Sequence, residues 1–382
     1  MKKLLKALGI FVLFIGLLVA MAYLTGNGYL MKGLWASYLH GYNSASIGDA
    51  RFFKTHTIET GTGSQWPLSE NYNKTPLSSE LRTTLENGQT VAFLVIKNDS
   101  IVAEQYWDNY SAASHSNSFS MAKSITTMLA QIAIQKGLLT GWNQKVKTLF
   151  PELKGTHAEE LELWHLSTMS SGLDWDEKYK DPFSITAKAY YGSDVEKLIL
   201  NLPIVDEPGK VHNYQSGSTQ LLGMCVMKTT GKSLSELASD WLWKPLQAEN
   251  AALWHTDDKG MELAYCCFNS NARDFARFGK MMLHHGNWNG TQILDSAFVA
   301  KATSPSLVPF YGYAYWLDDS QGTKVFYQRG ILGQYVITIP EYNTVAVRLG
   351  HYCRPTSEGK HHSDDFHEIV DGVLKMVAPK SM

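Results

Sequence analysis

Ser120-Met121-Ala122-Lys123 sets a hydroxyl and an amine three residues apart. Positions i and i+3 share a helix face, so the amine can reach the serine oxygen. A serine hydroxyl is a poor nucleophile at neutral pH unless a neighbouring base takes its proton. Lysine serves as that base when burial lowers its pKa. A helix N-terminus also favours the negative charge that develops there. The pattern describes attack on a carbonyl, with Ser120 as nucleophile and Lys123 as base. The spacing alone is common, and Ser357-Glu358-Gly359-Lys360 repeats it. Ser357, however, lies in a polar stretch after Pro355, where Gly359 disfavours helix. Ser120 instead leads into Ile125, Met128, Leu129 and Ile132, the i, i+3, i+4, i+7 signature of a packed helix face.

A second chemistry-bearing segment runs Pro208-Gly-Lys-Val-His-Asn-Tyr214-Gln215-Ser216-Gly217. A tyrosine held by such a loop can pass a proton to a leaving group, which makes Tyr214 the third candidate. Other polar residues read as structural. His361, His362 and His367 lack the i, i+4 spacing of a helical metal pair, and no metal or other cofactor is expected. His212 reads as a packed histidine. Asp174 and Asp176 read as local caps, and Arg273, Asp274 and Arg277 as a helix-surface ion pair. Cys225, Cys266, Cys267 and Cys353 form no CxxC, which removes zinc and thioredoxin-like readings. The adjacent Cys266 and Cys267 are expected not to pair with each other, while a Cys225–Cys353 bridge stays open.

The elements that must position these groups follow from patterning. Lys2, Lys3 and Lys6 precede an uncharged run over residues 7–31, whose apolar heart is 8–24. That length suits an uncleaved membrane anchor better than a signal with a cleavage site, and the basic flank holds the N-terminus inside. Residues 1–30 are therefore the anchor or signal. Residues 31–90, rich in Gly, Ser, Thr and Asn, read as an irregular lead-in, and 91–380 as the catalytic domain. Within that domain, 91–96 and 101–107 read as two strands that form a hairpin about the turn 97–100. Helices are expected over 194–202, 217–229, 233–243, 271–285 and 364–376. The last is begun by Ser363 as N-cap. Strands are expected over 311–317, 324–328, 334–339 and 345–349. Strands at both ends with helices between predict an α+β domain, its antiparallel sheet assembled from both chain ends around a helical insert.

These segments resemble the serine β-lactamase/penicillin-binding-protein superfamily, in its class C-like branch with esterases and 6-aminohexanoate-dimer hydrolases. The resemblance rests on Ser120-Met-Ala-Lys123, on Leu163-Trp-His-Leu-Ser-Thr-Met-Ser-Ser-Gly-Leu-Asp-Trp175, on Tyr214-Gln-Ser-Gly-Ser-Thr-Gln-Leu-Leu-Gly223, and on Asn271-Ala-Arg-Asp-Phe-Ala-Arg-Phe-Gly279. It covers about 90–380. It implies a five-stranded antiparallel sheet with helices on both sides, and acylation of Ser120 followed by hydrolysis. It implies backbone N–H groups of Ser120 and Ile331 as oxyanion donors, and Ser216, Gly330 and Tyr191 (in the insert bordering the cleft) as substrate contacts. Gly330 would let backbone approach substrate closely. The chain departs from the family pattern twice: Ser216 stands where Asn is common, and Gln328-Arg329-Gly330 replaces Lys-Thr-Gly or His-x-Gly. Strand alternation would turn Arg329 to the opposite face.

With 34 basic and 36 acidic residues, the chain carries no field for gripping nucleic acid. The expected activity is hydrolysis of a small-molecule amide or ester. The expected location is a bacterial inner membrane with the catalytic domain in the periplasm, or the periplasm itself if the leader is cleaved. A penicillin-binding D,D-peptidase, or a non-catalytic envelope binding protein of the same fold, are the alternatives. The sequence does not specify an oligomeric state.

Overall fold

The computed structural model describes residues 1–42 and 44–378. Its main sheet has six antiparallel strands in the order Ser100–Tyr106, Thr90–Lys97, Thr344–Gly350, Gln334–Ile339, Val325–Gly330 and Trp316–Asp318. Both chain ends contribute, as the patterning predicts. The sixth strand is the short edge Trp316–Asp318, one more than the resemblance implies. The hairpin turn places Asn98 and Asp99 at φ 48° and 61°, the left-handed pair that a two-residue turn between twisted strands requires.

Alternation along Thr90–Lys97 explains the layering. Leu94 and Ile96 face a core shared with the helical region, while Phe93 and Val95 face a second core under the C-terminal helix. Helix Ala272–Leu283 covers the first face, and helices Ser79–Asn87 and Asp364–Val377 cover the other. Ser363 occupies the N-cap position of the last helix but makes no side-chain cap bond.

The lead-in is ordered, contrary to its polar, Gly-rich composition. It holds helix Tyr29–Ala36, strand Lys54–Ile58 and helix Ser79–Asn87. The strand survives because it pairs with Ala252–Thr256 in a second, four-stranded sheet that also takes Phe268–Ser270 and Ser116–Asn117. That sheet ties the lead-in to the residues just before Ser120. Two further expectations are corrected. Arg277 and Asp274 form no surface pair: both are buried, 2.8 Å apart, and Asp274 also accepts the backbone N–H groups of Glu249 and Asn250. Arg273 instead pairs with Glu104. Cys266 and Cys267 are disulfide-bonded to each other, and Cys225 and Cys353 are free.

Candidate active site

Ser120 sits in the 3₁₀ turn Phe119–Met121, which feeds directly into helix Ala122–Gln135. That helix is buried from Ala122 through Ala133, so its N-terminal dipole acts on Ser120 with little water to screen it. The turn itself is pinned. Phe119 adopts φ 45°, a conformation a bulky side chain rarely holds. The Asn117 side chain accepts the Phe119 N–H at 2.8 Å, and the Ser118 N–H bonds to the Phe268 carbonyl at 2.9 Å. Asn117 in turn donates to the buried Asp49 carboxylate at 3.1 Å, which Tyr190 also holds at 2.6 Å. Burial raises the Asp49 pKa to about 6, against the opposing bonds from Tyr190, Asn117 and Ser46.

The Lys123 amine lies 2.9 Å from Ser120 Oγ, 3.1 Å from Ser216 Oγ and 3.1 Å from the Tyr265 carbonyl oxygen. Desolvation lowers its pKa to about 8, while the negative Glu177 nearby pulls it upward. The Tyr214 ring stands 5.0 Å from the amine. Burial raises the Tyr214 phenol well above its ordinary pKa; the Ser120 hydroxyl beside it works the other way. At neutral pH the phenol therefore keeps its proton.

Glu177 organises the opposite wall. It accepts from the Ser216 backbone N–H at 2.8 Å, from the Ser216 hydroxyl at 2.5 Å, from the Trp175 indole at 2.6 Å and from Tyr179 at 2.6 Å. This network constrains the lysine. A neutral amine has two N–H bonds and one lone pair. The Tyr265 carbonyl can only accept, and Ser216 Oγ must accept from Lys123 because its own hydrogen goes to Glu177. Both N–H bonds of neutral Lys123 are then committed, and its lone pair is left for Ser120.

The structure thus brings Ser120, Lys123, Tyr214 and Ser216 together. It places Tyr191 elsewhere and sets Gly330 against the nucleophile turn. Tyr191 bonds to Ser37 at 2.9 Å and packs on Phe53, toward the lead-in. A Cβ at Gly330 would fall 2.1 Å from the Ser118 carbonyl, so the glycine admits the nucleophile turn. Strand Val325–Gly330, whose last residue precedes Ile331, packs on the turn Phe119–Met121. Arg329 donates to the His361 carbonyl at 2.9 Å and to Thr356 at 3.0 Å, while its charge still reaches Tyr214. The second Ser-x-x-Lys is a surface turn in which Lys360 pairs with Asp364. His212 is packed, bonded to the Thr168 carbonyl and set against Phe310 and Tyr311. His362 bonds to the Tyr327 hydroxyl at 2.7 Å.

Glu177, Tyr179 and the Tyr265 carbonyl escape the sequence reading. Glu177 and Tyr179 had one available signal, their place directly after the Leu163–Trp175 stretch. The carbonyl had none, since any residue type supplies one.

The profile described as Beta-lactamase matches residues 81–363. The chain is 25% identical over 320 residues to the 6-aminohexanoate-dimer hydrolase of Paenarthrobacter ureafaciens, covering 77% of this chain and 79% of that one. A solved structure named as a 6-aminohexanoate-dimer hydrolase of Bacillus anthracis superposes with a TM-score of 0.73 at 22% identity, over 91% of this chain and 95% of that chain. A D-stereospecific amidohydrolase from Streptomyces gives 0.61 at 13% identity, over 79% and 100%.

Proposed function

We propose, from the premise that this chain belongs to the Beta-lactamase family, that it hydrolyses small amides or esters through an acyl-enzyme on Ser120. It is a hydrolase of that fold; the serine mechanism and substrate class are our reading. Lys123 takes the Ser120 proton as the oxygen attacks the carbonyl. The backbone N–H groups of Ser120 and Ile331 receive the oxyanion. Tyr214, still protonated, hands a proton to the leaving amine or alcohol. Water then enters and the same groups run in reverse to free the acid.

One observation carries this reading: the Lys123 amine lies 2.9 Å from Ser120 Oγ and within 3.1 Å of two further acceptors, Ser216 Oγ and the Tyr265 carbonyl, which take both N–H bonds of the neutral amine. A lysine oriented that way is prepared to accept a proton. A D,D-peptidase reading is weaker, because the strand Val325–Gly330 directs its one cation, Arg329, to His361 and Thr356. Helix Lys2–Leu24 is long and apolar enough to cross a membrane, which supports an anchored or exported enzyme. Intact-protein mass spectrometry after a serine-directed phosphonate tests the assignment. The expected result is one adduct, mapped to Ser120 and absent in Ser120→Ala. Undiminished turnover in Ser120→Ala would overturn it.

A further inference from the structure

We infer that the surface formed by helix Tyr29–Ala36, the turn Tyr38–His40 after it and the exposed Tyr179 and Phe183 of the loop over residues 177–184 rests on the lipid bilayer, so that Ser120 receives amphipathic esters or amides from the membrane interface. The substrate part of this inference rests on the hydrolase reading above; the surface part does not.

The tether comes first. Only residues 25–28 separate helix Lys2–Leu24 from helix Tyr29–Ala36. Four extended residues reach at most roughly 14 Å. With the first helix in a bilayer, the second stays at its surface. One side of that second helix is docked on the domain: Tyr29 and Ala36 are buried, and the Tyr191 ring lies 3.2 Å from where a Cβ on Gly33 would stand. The other side presents Leu34 and Trp35, and the 3₁₀ turn Tyr38–His40 that follows presents Tyr38 and Leu39; the four are 45%, 48%, 59% and 69% exposed. Trp35 stacks edge-on against Phe52, and the Arg51 guanidinium covers Phe52 from outside. Aliphatic side chains beside Trp and Tyr, with a cation at the rim, are the composition that settles at headgroup depth.

This surface continues to the site. Helix Tyr29–Ala36 packs on helix Ile185–Tyr191, and the loop before the latter carries Phe183, 72% exposed. The same loop carries Glu177 and the half-exposed Tyr179, which are bonded to each other at the wall of the site. Asp181 lies close enough to Tyr29 to raise its phenol pKa, behind the larger effect of burial. Tyr179, Pro182 and Phe183, interleaved with the cations Lys178 and Lys180, therefore lie between the first residues after the membrane helix and the wall of the site around Ser120. A second copy of the chain is the poorer occupant, because the short tether leaves little room between this face and the bilayer.

The test uses the full chain in vesicles of phosphatidylcholine and phosphatidylglycerol doped with a diazirine-bearing phosphatidylcholine. After photolysis, lipid adducts are expected on peptides covering residues 34–39 and 183 as well as 2–24. Adducts confined to 2–24, or protein–protein crosslinks at 34–39, would overturn the proposal. A paired assay compares a water-soluble short-acyl ester with a vesicle-partitioned long-acyl ester in the double variant Leu34→Glu, Leu39→Glu. The long-acyl kcat/KM should fall about tenfold or more, the short-acyl value staying unchanged. Equal losses on both esters would mean a structural role and refute substrate delivery from the bilayer. Wild-type inactivity on both esters would instead refute the Ser120 reading, while the photolabelling still decides the surface.

Discussion

Glu177 accepts the hydroxyl hydrogen of Ser216 at 2.5 Å, and the same Ser216 oxygen stands 3.1 Å from the Lys123 amine. The carboxylate thus acts on the base through one intervening hydroxyl. It fixes which way Ser216 points, and its charge opposes the desolvation that lowers the Lys123 pKa.

The activity should therefore depend on pH through Lys123. The base must be neutral, so kcat/KM should fall as pH drops through a limb near about 8. In Glu177→Gln the anion that raises the lysine pKa is gone, so the limb should move to lower pH while kcat falls. A pH–rate profile of both proteins checks this; an unmoved limb would remove Glu177 from the network.

Ser216→Ala takes away one acceptor of the lysine and one donor to Glu177. A charge-linked hydrogen bond lost in a buried site costs about 1.5–3 kcal/mol, so kcat should drop roughly 10- to 100-fold. Ser216→Asn can supply both a carbonyl to Lys123 and an N–H to Glu177, and should recover part of that loss. Steady-state kinetics of the two variants are compared directly.

Tyr214→Phe keeps the ring but removes the proton donor. The expected result is a fall in kcat of about 10²–10⁴ with KM little changed, the range for loss of a general acid. The deficit should be smaller for esters with acidic phenol leaving groups, which depart without a proton. A loss independent of leaving-group pKa would count against the relay.

Asp49 should leave a mark on stability. Its folded pKa, about 6, lies above its ordinary 3.8, so the folded state binds the proton more tightly. The resulting stabilisation is full below about 3.8 and lost as pH rises through about 6, with a span of about 3 kcal/mol. Wild type should gain stability relative to Asp49→Asn between pH 7.5 and 4.5. Paired thermal melts at the two pH values would show it. Asn117→Ala should cost about 1–3 kcal/mol by leaving the Phe119 N–H unpaired, and should lower kcat because the nucleophile turn loosens.

Local chemistry carried much of the molecule in its sequence. The Ser-x-x-Lys pair had its meaning from one helical turn, and Ile125 to Ile132 showed which of the two copies opens a buried helix. Short β-branched apolar runs over 91–96, 334–339 and 345–349 marked strands from both chain ends, because a strand buried on both faces reads as a continuous hydrophobic segment without knowledge of the partner. Tertiary structure decided the rest. Strand Lys54–Ile58 exists through pairing with a segment some two hundred residues later, which no local pattern announces. Tyr191 lies elsewhere than expected because a side chain's surroundings depend on the element packed against it, here Ser37, and what Gly330 must admit, the Ser118 carbonyl of the nucleophile turn, is likewise a matter of packing. The orientation of the Lys123 lone pair is set by a carbonyl at 265 and a carboxylate at 177. Convergence of atoms distant along the chain is a property of packing, and composition and spacing do not encode it in readable form.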